Sequence, residues 1–251
     1  MTGDQERSEA WFGFRRVAAA DKGSLVRQVF DSVAARYDLM NDLMSGGVHR
    51  LWKAALVDWL APRGALRLLD MAGGTGDVAL RVLAAAPQAS VVVADANTTM
   101  LSVGRDRAIN HGIIAGLDYV TGDAEALPLR SRSFDAYTIA FGLRNVTRIA
   151  AALGEAHRVL KPGGRFLCLE FSRVVVPGLA QLYDAYSFRV LPELGARVAQ
   201  DRAAYQYLVE SIRRFPPQDE LAAMMKAAGF AQVGYRNLSG GIAALHSAWR
   251  L

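Results

Sequence analysis

Residues 68–77 read Leu-Leu-Asp-Met-Ala-Gly-Gly-Thr-Gly-Asp, and their reading decides the fold. An apolar run from Leu66 to Met71 ends in a glycine-rich turn. An Ala/Leu/Val-rich segment of helical character, Val78 to Ala86, follows directly. That is strand, tight loop, helix. Glycine removes the Cβ and lets a ligand approach the backbone. The helix start offers unpaired N–H groups to the same ligand. A second apolar run, Ser90 to Ala94, closes on Asp95, 19 residues after Gly76. An acid at that spacing is placed to hold the two ribose hydroxyls of a nucleoside.

Two cofactor classes fit this pattern. Gly74-Thr75-Gly76-Asp77-Val78-Ala79 satisfies the dinucleotide fingerprint G-x-G-x-x-G/A. It equally fits a loop that holds S-adenosylmethionine. Charge favours the second. Asp70 and Asp77 flank the loop, and Asp77 sits where a pyrophosphate would lie and would repel it. S-adenosylmethionine has no phosphate and carries a sulfonium and an ammonium, which acids suit. The plainer alternative is a glycine-rich turn with no ligand; the spacing of Asp95 speaks against it.

The 251 residues suit one large domain, and 52% apolar residues supply an ample core. Residues 1–60 read as an N-terminal helical segment of the same domain, and 61–251 as the body of it. The single cysteine, Cys168, lies in the apolar run Arg165 to Phe171 and reads as a reduced core thiol of a cytoplasmic protein. One Cys and four scattered His allow neither a disulfide framework nor a zinc cluster, so no metal is expected. Three acids among the first ten residues exclude a signal peptide, and the uncharged runs are too short to span a bilayer. The net charge is +5, and only four of the 29 cationic side chains are lysines. The arginines are spread along the chain without interleaved aromatics, so no nucleic-acid partner is expected. A basic surface leaves weak attraction to anionic lipid open.

Beyond the loop, apolar strand candidates at 66–71, 90–95, 117–121, 134–140 and 164–171 alternate with helical stretches at 77–86, 98–110 and 148–160. Such alternation predicts a parallel sheet with helices on both faces. Lys161-Pro-Gly-Gly164 reads as a turn. At the end, 230–238 and 242–249 are both strand-like and joined by Ser239-Gly240-Gly241, which predicts a hairpin. A mostly parallel seven-stranded sheet closed by an antiparallel hairpin suits the Rossmann-like fold of class I methyltransferases. Residues 24–60 show helical periodicity with a Gly46-Gly47 break, whereas the first twenty look loosely ordered. The segment at about 172–216, rich in Tyr, Phe, Leu and Arg, is too long for a connector. It is expected to be a helical cap over the ligand crevice, with a packing appendage of the core as the alternative.

Longer motifs carry a resemblance. Phe30-Asp-Ser-Val-Ala-Ala-Arg-Tyr37-Asp38-Leu-Met40-Asn41-Asp42, continuing through Ser45 to His49-Arg50-Leu-Trp52-Lys53, closely resembles the N-terminal signature of the ubiquinone/menaquinone biosynthesis C-methyltransferases. Phe141-Gly-Leu-Arg144-Asn145-Val146 resembles their second signature. Leu169-Glu170-Phe171-Ser172, Tyr183-Asp-Ala-Tyr186-Ser-Phe188 and Tyr205-Gln-Tyr207-Leu-Val-Glu-Ser211 are similar to further blocks, and the similarity runs from about Trp11 to His246. The resemblance implies methyl transfer from S-adenosylmethionine to a ring carbon of a polyprenylated quinol. The substrate class is 2-methoxy-6-polyprenyl-1,4-benzoquinol, demethylmenaquinol, or both. It implies cofactor contacts at Thr75, at Asp95 on the ribose, and at Asp123-Ala124 on the adenine. The family often has Ser where this chain has Ala140, which removes a hydroxyl near the methyl donor. Ala72, in place of the glycine of many methyltransferases, matches the family.

A neutral quinol carbon is a weak nucleophile, and a phenolic hydroxyl with a pKa near 10 is scarcely ionised at neutral pH. The site must therefore stabilise a phenolate, align the reacting atoms and remove the ring proton. Arg144 and Asn145, just beyond a strand end, are expected to face the crevice. Arginine stays protonated, so Arg144 suits the phenolate or an oriented water, with a salt bridge to an acid such as Glu170 as the alternative. Asn145 suits the second oxygen substituent, and Tyr37 the wall of the quinol pocket. Tyr183, Tyr186, Phe188 and Tyr205 are candidates for a prenyl tunnel or for ordinary helix packing. A peripheral membrane contact, a quinone-biosynthesis assembly and a homo-oligomer are the expected partner classes. The rival activities are a nicotinamide-dependent oxidoreductase and a non-catalytic cofactor-binding partner.

Overall fold

The computed structural model describes residues 9–34, 41, 42, 45–187, 193 and 202–251. Seven strands form one sheet. They are β3 (Arg67–Met71), β4 (Ser90–Asp95), β5 (Leu117–Thr121), β6 (Phe134–Ala140), β7 (Leu160–Phe171), β8 (Ala231–Leu238) and β9 (Ala243–Trp249). Their order is β5-β4-β3-β6-β7-β9-β8. The first five are mutually parallel, and β9 runs antiparallel between β7 and β8. The expected seven-stranded, mostly parallel sheet with a terminal hairpin is therefore present, and the hairpin is inserted edgewise rather than appended.

The chain leaves β3 toward β5 on one side and returns through β6 on the other. The boundary between β3 and β6 is a topological switch point, where a crevice opens at the carboxyl ends of the strands. The connecting helices are α3 (Asp77–Ala85), α4 (Thr98–Asn110) and α5 (Ile149–Val159), with α8 (Gln218–Ala227) leading into β8. Their apolar stripes pack on both faces of the sheet and form two core clusters. One holds Leu68, Val91, Val93 and Leu169, the other Leu69, Val92, Ile139 and Cys168. Odd and even residues of the same strand thus feed opposite cores, as a sheet buried on both faces requires.

Three sequence expectations need correction. Residues 9–18, read as loosely ordered, form a hairpin of β1 (Glu9–Phe12) and β2 (Arg15–Ala18). It is held by contacts distant in sequence. Phe12 stacks on Tyr207 at 4.3 Å, and the Arg214 guanidinium lies 3.7 Å from the Trp11 ring centre. Lys161 to Gly164 is not a turn between elements but an irregularity within β7. Its partners step from Phe134–Leu160 to Ala136–Arg165. Gly163 donates to the Arg250 carbonyl at 2.6 Å, and Arg250 to that of Gly164 at 2.9 Å, which keeps the strand continuous. The N-terminal segment also contains a hairpin in addition to its helices, α1 (Ala19–Val33) and α2 (His49–Leu60).

His49 fastens α2 by donating from Nε2 to Asp42 Oδ1 at 2.9 Å. Trp52 Nε1 donates to Ser239 Oγ at 2.9 Å, tying α2 to the terminal hairpin. Within the segment at 172–216, α6 (Leu179–Ala185) and α7 (Arg202–Arg214) are described. The inner face of α7, Tyr205, Leu208, Val209 and Ile212, is buried in the first core cluster.

Candidate active site at the carboxyl ends of strands β3, β4 and β6

A cavity opens at the switch point. Its floor is the loop Ala72–Thr75, and Asp95–Asn97 follow from β4. Asp123–Glu125 lie beyond β5, Ala140–Gly142 and Asn145–Thr147 beyond β6. Gly23, Val26, Arg27 and Phe30 of α1 cover it. Asp70, Gly74, Thr75, Asp95, Asp123, Ala124, Ala140 and Asn145, singled out in the sequence, all line this one cavity. Gly76 shapes it instead: at φ 76° it turns the loop into α3. Tyr37 and Phe188 lie outside the described residues.

The loop is built by close approach. A Cβ on Gly73 would sit 2.8 Å from Asp70 Oδ2, and one on Gly104 would sit 2.5 Å from the Gly74 carbonyl. Gly104, in the middle of α4, thus lets that helix rest on the loop backbone. No sequence motif marked it. Asp95 Oδ2 accepts from the Gly74 N–H at 3.0 Å and Oδ1 from the Asn97 N–H at 2.9 Å. Asn97 Oδ1 caps α4 at the Met100 N–H, 2.9 Å, while its Nδ2 donates to Asp31 Oδ1 of α1 at 2.9 Å. One residue therefore links the ribose acid, a helix start and the cover. Asn97 was not marked from the sequence; an Asn directly before a helical pattern is an N-cap signal that could have found it. At the other end of the cover, Lys22 Nζ donates to the Val146 carbonyl at 2.8 Å, and burial pulls its pKa down to about 8 against the field of Glu125.

Electrostatically the cavity is acidic and undercompensated. Burial raises the Asp70 carboxyl to about 7, opposed by the hydrogen bond from Thr138 Oγ1 at 2.7 Å and by the charge of Lys53. Its Oδ2 is buried without a hydrogen-bond partner. Burial likewise raises Asp95 to about 6, opposed by the backbone N–H groups that it accepts. Asp77 differs from both. Lys53 Nζ lies 2.8 Å and Arg81 Nε 2.9 Å from its two oxygens, and these cations hold its pKa low despite burial. The repulsion of phosphate expected from Asp77 is thereby largely cancelled; Asp70 and Asp95 carry the argument from charge.

Beyond β6, Arg144 departs from its expected orientation. Its side chain is buried, does not line the cavity, and pairs with Glu170 Oε1 at 2.8 Å. The same Nη1 donates to the Phe141 carbonyl. The alternative of a salt bridge to Glu170 is what the structure contains. The physical reason is register: Glu170, next to the end of β7, points at the turn 143–145 and would be an unmatched buried charge without Arg144. Asn145 does reach the cavity, and its Oδ1 accepts from Tyr207 Oη at 3.0 Å. Tyr183 and Tyr205 are buried in packing and, with Tyr186, do not line the cavity. Among the described residues no group of His, Cys, Asp and Glu could hold a metal ion.

Comparison with known proteins places the whole chain in a family. The model described as the ubiE/COQ5 methyltransferase family matches residues 17–250. The chain belongs to that family. A relative from Paracoccus denitrificans is 60% identical over 251 residues, covering 100% of both chains, and another from Dinoroseobacter shibae is 59% identical over 240 residues, covering 96% of each. Both are named ubiquinone/menaquinone biosynthesis C-methyltransferase. The solved structure of an S-adenosylmethionine-dependent methyltransferase from Thermotoga maritima, a possible histamine N-methyltransferase, superposes with a TM-score of 0.61 at 20% identity, covering 89% of this chain and 99% of that one. That likeness establishes the class I methyltransferase fold.

Proposed function

We propose that the chain is an S-adenosylmethionine-dependent C-methyltransferase that methylates a ring carbon of a polyprenylated quinol. Its substrate is 2-methoxy-6-polyprenyl-1,4-benzoquinol, demethylmenaquinol, or both. The observation that carries this reading is the full-length identity to relatives of that name, together with the acid-lined cavity that suits their cofactor. The unpartnered buried Oδ2 of Asp70 fits a cationic ligand lying on the loop. When bound, S-adenosylmethionine supplies an electrophilic methyl group on a sulfonium.

The chain's own residues do the rest. Asp95 takes the ribose hydroxyls; Asp123 and Ala124 border the adenine; Gly74 and Thr75 present backbone to the ligand, and Gly76 turns the loop into α3. Ala140 borders the methyl donor with a methyl group in place of a hydroxyl. With Oδ1 occupied by Tyr207, the Asn145 amide presents its Nδ2 donors to a quinol oxygen as the ring gathers negative charge. Arg144 acts at one remove: it neutralises Glu170 and fixes the turn that carries Asn145. Tyr37 remains assigned to the quinol pocket wall. Helix α1 forms the cover, the described helix α7 packs into the core as the appendage alternative has it, and 61–251 forms the catalytic body. Among the described residues no helix is long and apolar enough to cross a membrane, so the lipid-soluble tail is met at a peripheral contact or within an assembly. The deciding experiment incubates the purified chain with labelled S-adenosylmethionine and a short-tailed quinol of each class. Label is expected on a ring carbon. Transfer to neither ring, or binding of NAD in place of the methyl donor, would overturn the reading.

A further inference from the structure

We infer that Lys53 is the anchor for the carboxylate of the cofactor's amino-acid end, a role that deepens the methyl-donor reading and rests on it. The cavity lining contains two cations among the described residues, Lys53 and Arg27. Arg27 is exposed on α1, at the cover. Lys53 stands inside, with its side chain 6% exposed. It projects from α2, whose position is fixed by Trp52 on Ser239 and His49 on Asp42.

Burying an ammonium is costly unless it is matched. Lys53 is matched, but by a shared partner. Asp77 Oδ2 accepts from Lys53 Nζ at 2.8 Å while Asp77 Oδ1 accepts from Arg81 Nε at 2.9 Å. Two cations on one carboxylate leave a unit of positive charge over. An ammonium has three donors, and the Asp77 bond uses one. The surplus falls next to Asp70, whose carboxyl feels the field of Lys53 and whose Oδ2 has no hydrogen-bond partner. A buried cation with spare donors beside a buried acid with a spare acceptor makes a dipolar pair. It is complementary to a zwitterionic α-amino acid: carboxylate on Lys53, ammonium on Asp70. Asp95, at the end of β4, serves the nucleoside. The whole ligand thus lies along the loop with each charged end on its counter-charge.

Lys53 closes the N-terminal signature, remote in sequence from the glycine loop. Only the packing of α2 against α3 brings it to Asp77. Its preference is testable with a ligand that lacks one group. Calorimetric titration of the full chain should show decarboxylated S-adenosylmethionine, which keeps the ammonium and the sulfonium, binding at least tenfold more weakly than the parent. Lys53→Met should weaken the parent at least tenfold and leave the decarboxylated ligand within about threefold, so that discrimination disappears. Lys53→Arg should restore it. A merely structural lysine would lower both affinities by the same factor, and that result, or equal binding of both ligands by the wild type, overturns the assignment. If Lys53→Met does not fold, the double variant Lys53→Met, Asp77→Asn removes the buried pair, leaves an amide oxygen to accept from the partly exposed Arg81, and carries the same comparison. A wild-type chain that binds neither ligand would overturn the cofactor reading itself, an outcome distinct from loss of discrimination.

Discussion

The loop after β3 and the turn after β6 lie side by side at the carboxyl end of the sheet, and they handle buried charge in different ways. Both leave their strand through a non-glycine residue in the left-handed region, Ala72 at φ 52° and Phe141 at φ 58°. Each such residue costs about 1–2 kcal/mol. Both then meet a buried carboxylate. At the turn, Glu170 is compensated within the protein: the Arg144 guanidinium lies 2.8 Å away, and the Phe171 N–H donates to Glu170 Oε1 at 2.9 Å. At the loop, Asp70 and Asp95 make no salt bridge among the described residues; burial lifts both carboxyls, as it lifts that of Glu170 against the pull of Arg144, so the contrast lies in the ion pair. A folded protein tolerates unmatched buried acids where a ligand is to match them. It pairs them internally where they only hold shape.

The largest expected effect tests the turn. Arg144→Ala strands Glu170 in the core and should destabilise the protein by about 3–5 kcal/mol, read by chemical denaturation. Cofactor affinity of the folded protein should stay near wild type. Unchanged stability with a methylation rate about 100- to 1000-fold lower would instead return Arg144 to direct charge stabilisation and erase the contrast.

Next comes Asp70. An acid whose folded pKa lies above its unfolded value binds more protons folded than unfolded, so it makes stability fall as pH rises. For Asp70 the window runs from the ordinary carboxylate value of 3.8 up to about 7. Asp70→Asn should therefore gain stability relative to wild type across that window. The difference should level off above it at on the order of 2–4 kcal/mol. Asp95 contributes a slope of the same sign in both proteins, and its repulsion of Asp70 adds to the Asp70 effect. A flat difference between the two denaturation series would mean that Asp70 is matched in the folded state after all.

The smallest effect sharpens the loop's role. Asp95→Ala removes a charged acceptor from two ribose hydroxyls, each such bond being worth about 1.5–3 kcal/mol. Calorimetry should give at least a tenfold rise in the dissociation constant. Equal affinity in a folded variant would separate Asp95 from the cofactor.

The sequence by itself determined the alternation of strands and helices, the terminal hairpin, the glycine loop and the acid ending β4, because these rest on local periodicity and on spacing within one strand-loop-helix unit. The cofactor class also followed, although the argument leaned on Asp77, which two cations neutralise. Tertiary structure decided what local pattern cannot carry. Residues 9–18 form strands because Tyr207 and Arg214, some two hundred positions away, give Phe12 and Trp11 a surface. Gly104 matters because a helix three elements on rests on the loop. Arg144 turns inward because Glu170 on a neighbouring strand must be matched. Lys53 enters the cavity because α2 packs beside α3. A motif names residue types and their spacing, but which charge pairs with which is settled by distances between segments remote in the chain, and those exist only once the sheet has brought its strand ends together.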